Sequence, residues 1–151
     1  MGIKGFMFHW LRADRGQSMV ELALILPVMV FGLIGGADMA RAYAVQIAVQ
    51  NGARAAAEAY AIDQTLTANQ TKDAAVAEMN RTPSINAQRS DVTVSEANSD
   101  GTSPCVSHPP AQALPCYVTI TVTYSFHTIV AWPLVPNTAN FNRSTIFQVF
   151  Y

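Results

Sequence analysis

Residues 15–30 read RGQSMVELALILPVMV, and the reading of this stretch decides how the rest of the chain is organised. Arg15 and Gly16 stand ahead of an apolar run that carries one carboxylate, Glu21, at its head. Residues 22–37, LALILPVMVFGLIGGA, have no formal charge; with Met19 and Val20 the run covers 19 residues, in which Glu21 is the single charge. About 20 apolar residues cross a bilayer. A core helix of a water-soluble domain would keep a polar face, and this run has none. A membrane-spanning helix over about 19–37 is therefore expected.

The flanks set its direction. Lys4, Arg12 and Arg15 precede the run and are opposed only by Asp14. Basic residues stay on the cytoplasmic side, so the chain from about Asp38 onward should be extracytoplasmic. In 151 residues there is room for an anchor and one modest domain. A net charge of −1 without a basic cluster argues against a nucleic-acid partner. Cys105 and Cys116, the two cysteines, both fall in the exported part. Close cysteines in an oxidising compartment usually pair. A disulfide is expected, against the alternatives of two free thiols or, with His108, part of a metal site.

Beyond the apolar run the helical pattern continues through the Ala-rich ADMARAYAVQIAVQNGARAAAEAYAID, with Arg, Gln and Glu interspersed. One helix from about residue 17 to 60 is expected. The helical segment as a whole takes 17–62 and leaves 63–151 as a head. Pro27 removes a hydrogen bond inside this helix and should bend it, a defect that membranes tolerate when neighbouring groups satisfy the freed carbonyl. A second helix is expected over 68–80 and should end near Pro83.

Alternation then takes over. Residues 91–97 (DVTVSEA) and, more cleanly, 117–126 (YVTITVTYSF) read as strands. In the second, Val118, Ile120, Val122, Tyr124 and Phe126 face one way, and Thr119, Thr121, Thr123 and Ser125 the other. Residues 143–151 (RSTIFQVFY) read as a third strand. The turn-rich 98–115 should be a loop stapled by the cysteines. The expected fold is α+β: a three-stranded antiparallel sheet with a helix on its apolar face. Between the last two strands, 128–142 (TIVAWPLVPNTANFN) is apolar but broken by Pro133 and Pro136 and too short for a second crossing. It reads as a loop packed on the core, or else as a surface patch for a partner or lipid headgroups, either of which would suit Trp132.

The long helix also carries Gly32, Gly36, Ala40, Ala44, Ala48, Gly52 and Ala56, a small residue at every fourth position. Small residues at this spacing let helix backbones approach closely. Each four-residue step advances about 40° around the axis, so the stripe winds about two-thirds of the way round. It suits several neighbouring helices better than one straight partner.

Arg15-Gly16, four residues, Glu21 and then an apolar helix resembles the processing site of the type IV prepilin superfamily. Within it, residues 15–61 are similar to the amino-terminal domain of TadE-like proteins, minor pseudopilins of the tight-adherence (Tad) pilus system. The resemblance lies in RGQ-x-x-VE, the LP inside the apolar run, Asp38 at its exit, and A-x-x-Q-N-x-A-R-x-A-A after it. Leu22 departs from the pattern, since related pilins often carry an aromatic after the glutamate. The resemblance implies cleavage by a prepilin peptidase between Gly16 and Gln17, which removes a leader, residues 1–16, and keeps the apolar run as an anchor. An ordinary signal peptide is cut beyond its apolar run instead. It implies inner-membrane location, other pilins and pseudopilins as partners, and a place in pilus assembly, adhesion and surface attachment.

Glu21 has its own chemistry. A carboxylate at mid-bilayer costs on the order of 2.5–3.5 kcal/mol, so it calls for a partner or a position near the membrane edge. An amine freed at Gln17, on the same chain or the next, would supply that partner. No catalytic grouping emerges: His9, His108 and His127 share no metal or nucleophile spacing, and no phosphate-binding glycine loop is present. A non-enzymatic protein with no cofactor and no metal is expected. Two rivals compete with the pilin reading. One is a secreted binding module cut at small residues near 35–37 or 42–44; the other is an unprocessed membrane-anchored scaffold.

Overall fold

The computed structural model describes residues 14–105, 114–133 and 135–150. Most of the expected leader, with Lys4, His9 and Arg12, lies outside the described residues, as does His108. The chain divides into two units, Met1–Ala37 and Asp38–Tyr151, and helix α1 (Asp14–Ile62) belongs to both. The helix has 49 described residues.

In the first unit, α1 is continuous through Pro27, and its apolar side chains, among them Leu22, Leu24, Leu26, Val28 and Phe31, are exposed. Among the described residues one helix, Gly16–Ile62, is long and apolar enough to cross a membrane, and this is compatible with membrane anchoring.

The second unit is an α+β head. Helix α2 (Ala68–Met79) follows a short turn in which Asp63 accepts from the Thr65 amide at 3.0 Å. Thr67 caps α2 reciprocally with Gln70: the Thr67 hydroxyl accepts from the Gln70 amide, and the Gln70 side chain accepts from the Thr67 amide at 2.9 Å. A 3-10 turn, Arg89–Asp91, leads into β1 (Val92–Asn98), and β2 (Cys116–His127) and β3 (Thr138–Gln148) complete an antiparallel sheet in the order β1-β2-β3.

The central strand is read correctly from its alternation. Cys116, Val118, Ile120, Val122 and Phe126 are buried, whereas Thr123 and Ser125 are exposed. On the outer face polar pairs cross between strands, Thr121 with Ser144 at 2.7 Å and Ser125 with Asn140 at 2.6 Å. The third strand begins at Thr138, not at Arg143 as expected, so the last five residues of TIVAWPLVPNTANFN are strand rather than loop. Their sequence, TANFN, has low strand propensity. The long β2 provides the template that overrides it, pairing Phe126 with Ala139 and Tyr124 with Phe141.

The core lies between the apolar sheet face and the helices. Helix α1 contributes Val45, Ala48, Val49, Ala53, Ala56, Ala57 and Tyr60, spaced by three and four residues along one stripe. Small residues on this stripe bring the helix close to its neighbours. A Cβ built on Gly52 would stand 2.6 Å from Met79 Cγ and 3.1 Å from the Ala75 carbonyl, so glycine lets α1 and α2 approach closely here. The chain end is tied down as well: the Phe150 amide donates to the Ala61 carbonyl at 3.1 Å, and the Val149 amide to that of Cys116 at 2.9 Å.

Candidate assembly site

The residues expected to carry function fall into separate places. Gly16 and Gln17 lie near the beginning of the described part of α1, and both are exposed. Glycine at this point lowers the local stability of the helix by about 1 kcal/mol relative to alanine. One turn on, Glu21 Oε1 accepts from the Gln17 side-chain amide at 3.1 Å, and both side chains are exposed. The bond spans four residues, the spacing that puts two side chains on one helix face.

The small-residue stripe divides in two. Gly32, Gly36 and Ala40 are exposed, and a Cβ on Gly32 or Gly36 would meet nothing within 4 Å. Ala48, Gly52 and Ala56 are buried in the head, with Ala44 half-buried between the two groups. The distal part of the stripe is thus occupied by the chain's own core.

Cys105 and Cys116 form a disulfide, both buried, with Cα atoms 5.8 Å apart. Glu96 lies within 4.8 Å of the sulfurs, the one group among the described residues with metal-ligand geometry. Metal binding requires thiolates, and these sulfurs are bonded to each other. Glu96 instead interacts with Tyr60, whose hydroxyl is pushed up to about 12 by burial first and by the Glu96 carboxylate second. His127 is exposed at the end of β2, its Nδ1 3.2 Å from the Thr138 hydroxyl.

The sequence marks Asp38 only as the acid at the exit of the apolar run, and the structure gives it a larger role. It is buried in the second unit, where its carboxylate accepts the Ile129 amide at 3.0 and 3.1 Å and the Trp132 indole at 3.4 Å. Arg41, one turn along α1, donates to it at 3.0 Å, and the guanidinium lies 5.3 Å from the Phe126 ring centroid. The Ile129 hydrogen bonds hold the Asp38 carboxyl below its usual range, against the opposing effect of burial, with Trp132 and Arg41 adding to the lowering. One acid thereby fastens the β2–β3 loop to the helix. A lone carboxylate between an apolar run and an Ala-rich helix was the available signal, but its partner lies 91 residues away.

Residues 16–58 match the family model described as TadE-like protein. By that match residues 16–58 form a TadE-like segment. The match opens at Gly16 and closes within α1, so it takes in Glu21, Asp38 and Gly52 and leaves out α2 and the sheet. No curated protein and no solved structure matched the chain.

Proposed function

We propose that this protein is a TadE-like minor pseudopilin: a non-enzymatic, single-pass component of a Tad-type pilus machine, cut after Gly16 by a prepilin peptidase. The observation that carries the reading is the coincidence of the family match with the cleavage pattern, since the match begins at the glycine that would form the new boundary. The helix geometry supports it. The peptide to be cut follows a glycine, which weakens the helix locally, and the new amine at Gln17 would arise four residues before Glu21, whose side chain already meets that of Gln17.

In this reading the apolar run holds the protein in the inner membrane with residues 1–16 cytoplasmic and the head outside, until removal of the leader allows entry into a fibre or its initiating complex. Glu21, retained near the new amino end, pairs with the amine of its own or a neighbouring subunit. Gly32, Gly36 and Ala40, open on the helix surface, then become contacts for other pilins. The disulfide fits an exported head. Through such assemblies the protein would serve adhesion and surface attachment.

Amino-terminal sequencing of the mature protein tests the reading. A start at Gln17 is expected. A start near residues 38–45 would identify a cleaved signal peptide and sink it, and an intact Met1 would leave an unprocessed scaffold.

A further inference from the structure

We propose that the loop between β2 and β3 is a bilayer-contact surface, with Ile129, Trp132 and Val135 lying in the lipid headgroup zone where α1 leaves the membrane. The proposal rests on the reading of residues 19–37 as a membrane anchor, and adds to it a second point of contact made by the head.

The first observation is the loop's composition against its setting. From residue 128 to 142 the chain carries no Asp, Glu, Lys or Arg. Ile129 and Val135 are 63% and 59% exposed, although the head has an apolar core that such side chains would ordinarily join. Nor is the exposure a by-product of a loosely held segment. Thr128 donates its amide to the Asn137 carbonyl at 3.0 Å and its hydroxyl to the Val130 carbonyl at 2.8 Å, while the Asn137 side chain accepts from the Trp132 amide at 2.6 Å. These bonds join residues 128–132 to Asn137, and Ile129 and Val135 are nonetheless exposed.

The second observation is where it is braced. Asp38, which accepts the Ile129 amide, is one residue beyond the last of the apolar run. A hydrocarbon core of about 30 Å is flanked on each side by an interfacial layer of about 5–8 Å. Met39 and Tyr43, which follow Asp38 on the same helix, are both largely exposed. Through Asp38 the loop is tied to the chain one residue after the apolar run, and Trp and Tyr concentrate at the edges of membrane segments. The third observation is charge. Asp38 is matched by Arg41 and by two N–H donors, so the loop brings no unpaired negative charge to the headgroups. The surface fits a zwitterionic or weakly anionic lipid interface.

The test uses the full chain with Trp10→Phe, which leaves Trp132 as the single tryptophan, reconstituted into phosphatidylcholine vesicles with plain or dibrominated acyl chains. Trp132 emission should be blue-shifted and should lose intensity in the brominated vesicles, most with bromines nearest the headgroup. Exchanging Ile129→Ser and Val135→Ser, both exposed and outside the core cluster, should reduce this quenching. A parallel chain with Trp10→Phe, Trp132→Phe and Leu24→Trp reports on the anchor. Quenching at position 24 with unchanged Trp132 emission overturns the loop proposal and leaves the anchor standing, as would be found if the loop met another protein. Quenching at neither position overturns both.

Discussion

The Asp38 carboxylate accepts the backbone amide of Ile129 through both oxygens, at 3.0 and 3.1 Å, across 91 residues of sequence. This contact closes the head onto its own helix at the point where the apolar run ends. Replacing Asp38 with Ala should leave the Ile129 amide, the Trp132 indole and the Arg41 guanidinium without their acceptor, and a buried donor without a partner is costly. The expected outcome is a loop that opens while the sheet persists. Hydrogen exchange should show lost protection at Ile129 and retained protection along β2. Asp38→Asn, which keeps one acceptor oxygen, should show a smaller loss.

The same contact has a pH signature. The Asp38 carboxyl is held below its unfolded value chiefly by the Ile129 amide. A depressed carboxyl contributes stability that is present above the unfolded pKa and drains away as pH falls through the folded one. Loop protection should therefore fall only in acid, below the ordinary carboxylate range. Tyr60 has the opposite sign. Its hydroxyl is raised from 10.0 to about 12, so the stability it contributes is complete below pH 10.0 and is lost between there and about 12. Alkaline unfolding followed by circular dichroism should show a step in that window which Tyr60→Phe removes.

Gly52 and Gly32 belong to one stripe in the sequence but should respond differently to the same change. At Gly52 an added methyl would meet Met79 Cγ at 2.6 Å and the Ala75 carbonyl at 3.1 Å. The methionine side chain can move, but the carbonyl belongs to helix backbone and cannot move alone. Gly52→Ala should destabilise the head by about 1–3 kcal/mol, the usual cost of overpacking. At Gly32 the methyl meets nothing, and Gly32→Ala should leave the head's thermal midpoint unchanged. An effect of Gly32→Ala confined to co-purification with other pilins would mark the open half of the stripe as a contact between chains.

The disulfide can be tested on the head's stability. Cys105 and Cys116 enclose a short loop, with a sequence separation of 11. Loop-closure entropy assigns such a link roughly 2–3 kcal/mol. The double variant Cys105→Ser, Cys116→Ser should lower the urea midpoint, with an equal or steeper dependence on denaturant because the unlinked unfolded chain is less compact. An unchanged midpoint would mean that the hydrogen bond from Val149 to Cys116 and the β1–β2 pairing hold this corner by themselves.

What the sequence disclosed follows the range of the forces involved. The apolar run, the Ala-rich helix and the alternation of β2 are local patterns repeated over many residues, so periodicity reveals them. Thr138 and Asn140 enter β3 because β2 extends opposite them, and nothing in TANFN announces it. Likewise Ala48 and Gly32 look alike in a stripe of small residues, yet one is buried under the sheet and the other is open. Spacing shows that a helix face is smooth; what lies against that face depends on tertiary structure. Asp38 was visible as an acid in an unusual place, whereas its role needed the partner.

Glu21 offers the sharpest test of the proposed assembly role. A carboxylate within an apolar run opposes insertion by on the order of 2.5–3.5 kcal/mol at the bilayer centre and by less near its edge, so Glu21→Ala should insert at least as well as the natural chain. If the charge pairs with the amine released at Gln17, that variant should be processed normally yet be depleted from sheared fibres and enriched in the membrane fraction. Glu21→Gln separates charge from hydrogen bonding. It keeps an acceptor for the Gln17 side chain, which now donates to Glu21 at 3.1 Å, but cannot neutralise an ammonium. An ion-pair role requires Gln to fail as Ala does, whereas recovery by Gln would assign the position to hydrogen bonding along the helix. Normal fibre yield from both variants would reduce Glu21 to a tolerated charge at the membrane edge.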